Sequence, residues 1–172
     1  MELADEAGFF AALIPRKNIP EYTLLVVYDN GTSEELYDPY AFSPLYTESD
    51  LKKFEAGVHY TIYEKMGAHP MSVNGVEGVY FSVWAPCAMR VSVVGDFNLW
   101  DGRRHQMRRL GDSGIFELFI PGLASGLIYK YEIKNSHGEP QLKADPYGIF
   151  CELRPNTASV VWDTGRYKWQ DN

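Results

Sequence analysis

The chain has 172 residues, of which 45% are hydrophobic and 15% aromatic, and its formal net charge is −7. This length can bury one substantial core and leave residues for a partial second unit. The acidic balance argues against nucleic-acid binding, which needs basic side chains to displace counterions from the phosphates. No apolar stretch approaches the roughly 20 residues that cross a bilayer, and the start lacks a secretory pattern, so we expect a cytoplasmic protein that does not contact a membrane.

A short helix is the first element with a clear start and stop, over residues 48–56. Thr47 and Asp50 have the spacing of a capping box, and Gly57 provides the stop. Beyond it the hydrophobic period is two, as in strands that cover a core. The predicted strands are 79–84, 89–94, 114–120, 128–134 and 157–162. Short strands joined by turns, without alternating helices, predict an all-β antiparallel sandwich.

An internal repeat links the start of the chain to its later part. Residues 22–40 align with residues 129–147 at a constant offset of 107, and residues 8–15 align with 114–121 at an offset of 106. The recurring residues are Tyr22, Gly31, Asp38, Pro39 and Tyr40, which return as Tyr129, Gly138, Asp145, Pro146 and Tyr147. Both copies end in Asp-Pro-Tyr, where the proline halts the strand ladder and the aspartate is expected to shape the turn.

The repeat predicts three segments. Residues 1–45 correspond to the C-terminal half of a degenerate, truncated sandwich, whose first half is expected to precede Met1. Residues 46–66 form a linker with the short helix, and residues 67–172 form a complete sandwich with a C-terminal tail. Residues 1–45 would then expose an unpaired edge, so we expect them to be poorly ordered or packed against the complete module.

A series of ordered motifs resembles the region that precedes the barrel in bacterial glycogen branching enzymes, from about Asp38 onward. The resemblance implies an immunoglobulin-like sandwich, a carbohydrate-binding module of family forty-eight, often following a second, degenerate sandwich. It also implies an α-1,4-glucan such as glycogen as the ligand and the catalytic barrel as a partner. The motifs are Gly67-Ala68-His69, Trp84-Ala85-Pro86, Val94 to Arg103, Phe119 to Gly122, Tyr129 to Ile133 and Lys143 to Tyr147.

The resemblance assigns glucan binding to three residues. A sugar ring needs a flat aromatic platform and a few fixed donors and acceptors. Trp100, in the loop from Gly95 to Gly102, is expected to supply the platform, with packing as its alternative. Lys130 resembles the lysine that bonds sugar hydroxyls in related modules, or is an ordinary outward strand lysine. Asn98 is a glucan-binding candidate whose side chain could instead bond its own loop backbone.

The hairpin over residues 135–141 departs from the family pattern. Related glycogen-binding modules carry a second tryptophan there, and this chain has none. We therefore expect a Kd of roughly 0.1 to 1 mM or weaker. The departure favours the rival hypothesis, a structural module that only docks the catalytic barrel. A third hypothesis is a stand-alone protein that senses glycogen.

Other conspicuous residues are interpreted as contacts or structure. Trp162 and Trp169 bracket the C-terminal tail, and Arg103 belongs to a basic cluster, so these three are the candidate contacts with another domain. Trp84 is expected to pack on the face opposite Val83.

No catalytic or metal-binding pattern accompanies these motifs. Retaining glycosyl transfer needs two carboxylates about 5 Å apart, whereas Glu117, Glu132 and Asp145 lie scattered on strands and turns. The four histidines and the cysteines Cys87 and Cys151 have no ligand spacing. We expect no cofactor and no metal. The family's catalytic residues lie on the barrel, so the chain is expected to be inactive alone, although the resembled enzyme is a branching glycosyltransferase.

Overall fold

The computed structural model describes residues 1–15, 17, 21–136, 138–166 and 170. The chain divides into two compact units, residues 1–36 and residues 37–172, and each is described by itself. Most regular elements are antiparallel strands, which confirms the predicted all-β class. Within the described residues, no helix combines the length and apolar character that crossing a bilayer requires.

The first unit consists of two antiparallel hairpins. Their strands are β1 (Glu2–Asp5) with β2 (Phe9–Ala11), and β3 (Leu24–Val27) with β4 (Ser33–Leu36). An Asn-Gly turn joins β3 to β4, because Gly31 adopts a φ of +80° and its amide donates to the carbonyl of Tyr28 over 2.9 Å. Every described side chain of this unit is at least partly exposed.

The second unit is a sandwich of two sheets. Its strands are β5 (Gly67–Val73), β6 (Val76–Trp84), β7 (Arg90–Gly95), β8 (Arg108–Arg109), β9 (Ile115–Pro121), β10 (Ile128–Lys134), β11 (Gln141–Lys143), β12 (Phe150–Cys151) and β13 (Ser159–Val160). One sheet has the order β5-β6-β9-β8. In the other, β10 is central: it pairs with β7, β11 and β13, and β13 pairs with β12.

The main core lies between these sheets, where the period-two pattern predicted it. Val79, Phe81 and Val83 on β6 are at most 2% exposed and share this core with Val91 and Val93 on β7. Burying a side chain of this size contributes about 1.5–3 kcal/mol. This alternation is confirmed by the structure.

The opposite face of β6 is buried too, which alternation alone did not predict. Tyr80 and Ser82 are 2% and 0% exposed. The segment before β5 covers this face: Phe42, Tyr46 and Met66 belong to a second apolar cluster with Tyr80. The hydroxyl groups of Tyr46 and Ser82 lie 2.9 Å apart, which satisfies both polar groups inside this layer. Residues 39–66 therefore form a third layer of the second unit.

Helix α1 (Glu48–Glu55) belongs to this third layer and begins at the predicted capping box. The amide of Asp50 donates to Oγ1 of Thr47 over 3.2 Å, and the amide of Thr47 donates to the Asp50 carboxylate over 2.8 Å. Leu51 and Phe54 turn toward the second cluster, so the helix has one apolar side. The domain limits 1–45, 46–66 and 67–172 remain predictions.

The internal repeat extends to the register of strand pairing. The β1–β2 hairpin and the β8–β9 hairpin have the same pairing at an offset of 106, and β3–β4 and β10–β11 have the same pairing at an offset of 107. Corresponding pairs are Leu3–Phe10 and Arg109–Phe116, and Leu24–Leu36 and Tyr131–Lys143. Because the pairing register fixes which side chains share a face, the two copies have the same local architecture.

Asp38 and Asp145 shape the two Asp-Pro-Tyr turns in the same way. Each carboxylate accepts a hydrogen bond from the amide two residues later, Tyr40 in the first copy and Tyr147 in the second, over 2.8 Å. Such a bond fixes a turn without a backbone partner. The predicted turn-forming role of both aspartates is therefore confirmed.

Candidate functional site

Lys130 lies on β10 between two buried tyrosines. Tyr129 and Tyr131 are at most 1% exposed and face the core, so alternation turns Lys130 to the outer face of the sheet. Its Nζ donates a hydrogen bond of 2.7 Å to Oγ1 of Thr157. The ammonium group is thus held at a defined position on the surface while further donor protons remain for a ligand.

The Trp100 loop, residues 95–102, begins beside Lys130. The register pairs Tyr129 with Gly95 and Lys130 with Val94, so β7 delivers the loop to the same end of the sheet. Trp100 is partly exposed, its amide donates to the carbonyl of Gly95 over 2.9 Å, and its Nε1 donates to Oδ1 of Asp96 over 2.8 Å. The fold therefore places the start of the Trp100 loop beside Lys130, which is thirty positions after Trp100 in the sequence.

Two successive residues of this loop have left-handed backbone conformations. Leu99 and Trp100 both have a φ of +58°, a region that costs a residue with a Cβ about 1–2 kcal/mol. Leu99 is 76% exposed and gains little from packing. Strain of this kind concentrates at functional sites, where the surroundings fix an unusual orientation. Here the strained turn sets the position of the Trp100 ring.

Asn98 is buried beneath the loop and is 1% exposed. Its Oδ1 accepts from the amide of Gly95 over 3.0 Å, its Nδ2 donates to the carbonyl of Val93 over 2.8 Å, and the same Nδ2 lies 2.9 Å from Nδ1 of His105. Burial lowers the pKa of His105, with Arg104 adding to the effect, so the ring is neutral and Nδ1 can accept. Direct ligand contact by Asn98 does not fit this geometry, because its amide bonds Gly95, Val93 and His105 instead.

Arg103 and Gly102 complete the loop in different ways. The Arg103 side chain is 83% exposed, and its guanidinium donates to the Asp101 carboxylate over 2.7–3.2 Å. These hydrogen bonds hold the pKa of Asp101 well below its usual range. Gly102 lies against the carboxylate of Glu132, which forms an ion pair with Arg90. There is no room for a side chain at Gly102, because an added Cβ would clash with Oε1 of Glu132. The end of the loop therefore rests on the outer face of β10.

Thr157 is a site residue that the sequence interpretation missed. It lies in the loop between β12 and β13. The Glu152 carboxylate holds this loop, because it accepts hydrogen bonds from the amide of Ala158 over 3.0 Å and from Nδ2 of Asn156 over 3.1 Å. Leu153 in the same loop is 89% exposed. The only sequence signal was the strand at 157–162, whose pairing with β10 places Thr157 near Lys130.

The candidate domain-contact residues lie in different surroundings. Trp162 is 39% exposed, stacks on Phe150 with ring centroids 4.8 Å apart, and lines a groove of about 400 Å³ together with Tyr63, Ile149 and His69. Arg103 directly follows the Trp100 loop. Trp169 lies outside the described residues.

Trp84 is more exposed than its predicted packing role suggests, at 52%. Its ring meets Phe54 edge-on with centroids 6.0 Å apart, and its Nε1 donates to the carbonyl of Ser113 over 3.2 Å. The indole therefore packs against α1 while about half of it stays exposed.

The three carboxylates considered for catalysis have structural partners. Glu117 accepts from the hydroxyl of Tyr80 and from the amide of Leu45, Asp145 accepts from buried tyrosines, and Glu132 pairs with Arg90. Among the described residues, no three His, Cys, Asp or Glu side chains are placed to hold a metal ion.

Comparison with known proteins agrees with the sandwich fold. The sequence profile of the family carbohydrate-binding module 48 (isoamylase N-terminal domain) matches residues 65–148. The chain is 56% identical over 165 residues to the 1,4-alpha-glucan branching enzyme GlgB of Thermosynechococcus vestitus, which covers 95% of this chain and 21% of that enzyme. It is 49% identical over 172 residues to GlgB of Rubrobacter xylanophilus, covering 99% and 23%.

Among solved structures, a type I pullulanase from Bacillus subtilis, complexed with maltose, matches 66% of this chain and 16% of its own with a TM-score of 0.50. At 24% identity this likeness shows the fold alone. The chain spans less than a quarter of the length of the branching enzymes named above. Residues 65–148 belong to the carbohydrate-binding module 48 family, and nearly the whole chain is similar to the N-terminal region of bacterial 1,4-alpha-glucan branching enzymes.

Proposed function

We propose that the chain is the glucan-binding and scaffolding part of a 1,4-alpha-glucan branching enzyme in glycogen biosynthesis, with α-1,4-glucan as its ligand. The observation that carries the proposal is that Lys130, Thr157 and the Trp100 loop lie at one end of the outer face of a sheet, in a module of a carbohydrate-binding family. The complete enzyme would transfer an α-1,4 chain to a 6-hydroxyl group. This chain supplies substrate binding and is inactive alone.

The chemistry of the three groups suits a neutral sugar. The Lys130 ammonium donates hydrogen bonds to hydroxyl oxygens, and the Thr157 hydroxyl can both donate and accept. The Trp100 ring offers an apolar surface to the C–H face of a pyranose. Its Nε1 is already bonded to Asp96, so the ring contributes stacking and not a hydrogen bond to the sugar. One platform and one or two hydrogen bonds correspond to a Kd of roughly 0.1–1 mM.

A purely structural role is the second candidate. The hairpin over 135–141 carries no tryptophan, and two of the proposed contact residues, Arg103 and Trp162, are exposed on the module. On this alternative, these residues and Trp169 contact the catalytic barrel and no sugar binds. A stand-alone protein that senses glycogen is the third candidate.

The proposed location is the cytoplasm, because Cys87 and Cys151 are both exposed and unpaired, as is usual in a reducing compartment.

The experiment is a calorimetric and NMR titration of the 172-residue chain with maltoheptaose. We expect saturable binding in the wild-type chain, and at least tenfold weaker binding in Trp100→Ala and in Lys130→Met. Lys134→Met is the matched control, since Lys134 is an exposed lysine at the end of the same strand. Near-native circular dichroism and melting temperature must accompany each variant.

Two outcomes would overturn glucan binding at this site. The first is the absence of heat and of chemical-shift change up to several millimolar maltoheptaose, which leaves the docking role. The second is equal affinity in Lys130→Met, Lys134→Met and the wild type, which places any binding away from Lys130.

A further inference from the structure

Phe150 and Trp162 form a stacked aromatic pair on the surface. Their ring centroids are 4.8 Å apart, their planes differ by 27°, and they are 49% and 39% exposed. Neither ring belongs to the two apolar clusters of the core. Stacking fixes the orientation of both rings while part of each remains accessible to solvent. Core packing therefore does not account for this pair.

The pair lies on the same face as Lys130. The register pairs Ile128 with Val160 and Val160 with Phe150, across β10, β13 and β12. Directly paired residues share a face, and so do residues two apart along a strand. Lys130 is two positions from Ile128, and Trp162 is two positions from Val160. One continuous outer face thus presents the lysine and both rings.

The spacing suits a chain of several sugar units. From the distance between strands and the rise per residue, the Cα atoms of Phe150 and Lys130 are about 12 Å apart. Polar groups border the rings: Asp163 and Thr164 line the groove beside Trp162, and Oδ1 of Asp163 is fixed by the amide of Gly165 over 2.8 Å. Flat rings with fixed polar neighbours are the chemistry that sugar recognition requires.

We infer that Phe150 and Trp162 form a second aromatic platform of the glucan site, so that one α-1,4-glucan chain extends from Lys130 across β13 to this pair. The inference rests on the proposed glucan binding. Phe150 on β12 and Trp162, the second residue after β13, would then supply the aromatic surface that the hairpin over 135–141 lacks. Contact of Trp162 with another protein domain is the competing outcome.

The test compares two ligand lengths on the 172-residue chain. Maltose, with only two sugar rings, is too short to extend from Lys130 to the pair, whereas maltoheptaose can bridge them. We expect the wild-type chain to bind maltoheptaose about three- to tenfold more tightly than maltose, the range of one aromatic contact. Phe150→Ala and Trp162→Ala should abolish this difference and leave the maltose affinity unchanged, while Trp162→Phe should keep it.

Tyr60→Ala is the matched control, because Tyr60 is an aromatic residue that is 84% exposed before β5. As a measurement that needs no variant, the indole N–H resonance of Trp162 should shift on addition of maltoheptaose to the wild-type chain. An unshifted Trp162 resonance, or a length preference that survives in both alanine variants, overturns the inference while glucan binding at Lys130 stands. If the wild-type chain binds no maltoheptaose, both proposals are overturned.

Discussion

The hydroxyl group of Tyr129 donates a hydrogen bond of 2.6 Å to Oδ2 of Asp145 in the interior of the sandwich. The hydroxyl of Tyr131 donates to the same oxygen over 3.2 Å, and the amide of Tyr147 donates to Oδ1 over 2.8 Å. Burial raises the pKa of the Asp145 carboxyl, although these donors partly offset the effect. The aspartate thus fastens the Asp-Pro-Tyr turn to the strand that carries Lys130.

Replacing Tyr129 by phenylalanine should reveal the contribution of this bond. In Tyr129→Phe the buried Asp145 loses its shortest donor, and we expect the free energy of unfolding to fall by about 1–3 kcal/mol. Urea denaturation at neutral pH measures the change. Tyr60→Phe, at a position 84% exposed, should stay within about 0.5 kcal/mol of the wild type. Equal stability of Tyr129→Phe and Tyr60→Phe would contradict the structural role.

Asp50 should make stability depend on acidic pH. Its Oδ2 lies 2.6 Å from Nζ of Lys65 and accepts from Thr47. Partial burial acts to raise the pKa of Asp50, but these hydrogen bonds outweigh it and hold the pKa well below its ordinary value. A lowered folded-state pKa gives stability that is present above the unfolded-state value of about 3.9 and is lost as the pH falls through the folded-state value.

We therefore expect Asp50→Asn to reduce the free energy of unfolding by about 1–3 kcal/mol at pH 7. The difference from the wild type should shrink steadily below about pH 4. Urea denaturation at a series of pH values tests this. Asp112→Asn, at an exposed position, should show little difference at any pH. A gap between Asp50→Asn and wild type that stays constant from pH 7 down to pH 3 would refute the assignment.

The elements that local sequence determines could be predicted. The capping box of Thr47 and Asp50 and the alternation along β6 depend on residues a few positions apart, so sequence spacing suffices. The burial of Tyr80 on the other face of β6 could not be predicted. Tyr46 helps to cover that face, and it comes from a segment that folds back over β6. Alternation identifies one apolar face and gives no information on what a distant segment places over the other.

The candidate site was only partly predictable for the same reason. Trp100 and Lys130 were recognisable by family resemblance, and the register places β7, which leads into the Trp100 loop, beside the strand of Lys130. The sequence did not predict that Asn98 turns inward while Trp100, two positions later, stays partly exposed. The left-handed backbone at Leu99 sets the directions of these two side chains. The contact of Lys130 with Thr157 joins residues 27 positions apart and depends on the pairing of β10 with β13.

Gly95, where the Trp100 loop begins, has no room for a side chain. A Cβ there would lie 2.4 Å from the carbonyl oxygen of Ile128 and 2.6 Å from the ring of Phe97. The paired strand fixes that carbonyl, so Gly95→Ala must displace the loop and should cost about 1–3 kcal/mol of unfolding free energy. Glucan affinity should fall with it. Gly138→Ala, where nothing lies within 4 Å of the added atom, is the control and should leave both unchanged.

Leu99 offers a substitution that should stabilise the chain. Its φ of +58° disfavours a leucine, and its 76% exposed side chain contributes little packing. Asparagine adopts this conformation more readily, so Leu99→Asn should raise the free energy of unfolding by about 0.5–1 kcal/mol. Thermal and urea denaturation measure this. The same change at Leu153, which is 89% exposed and has no positive φ, should bring no gain. If both variants gained equally, the removal of an exposed apolar side chain and not the relief of backbone strain would be the cause.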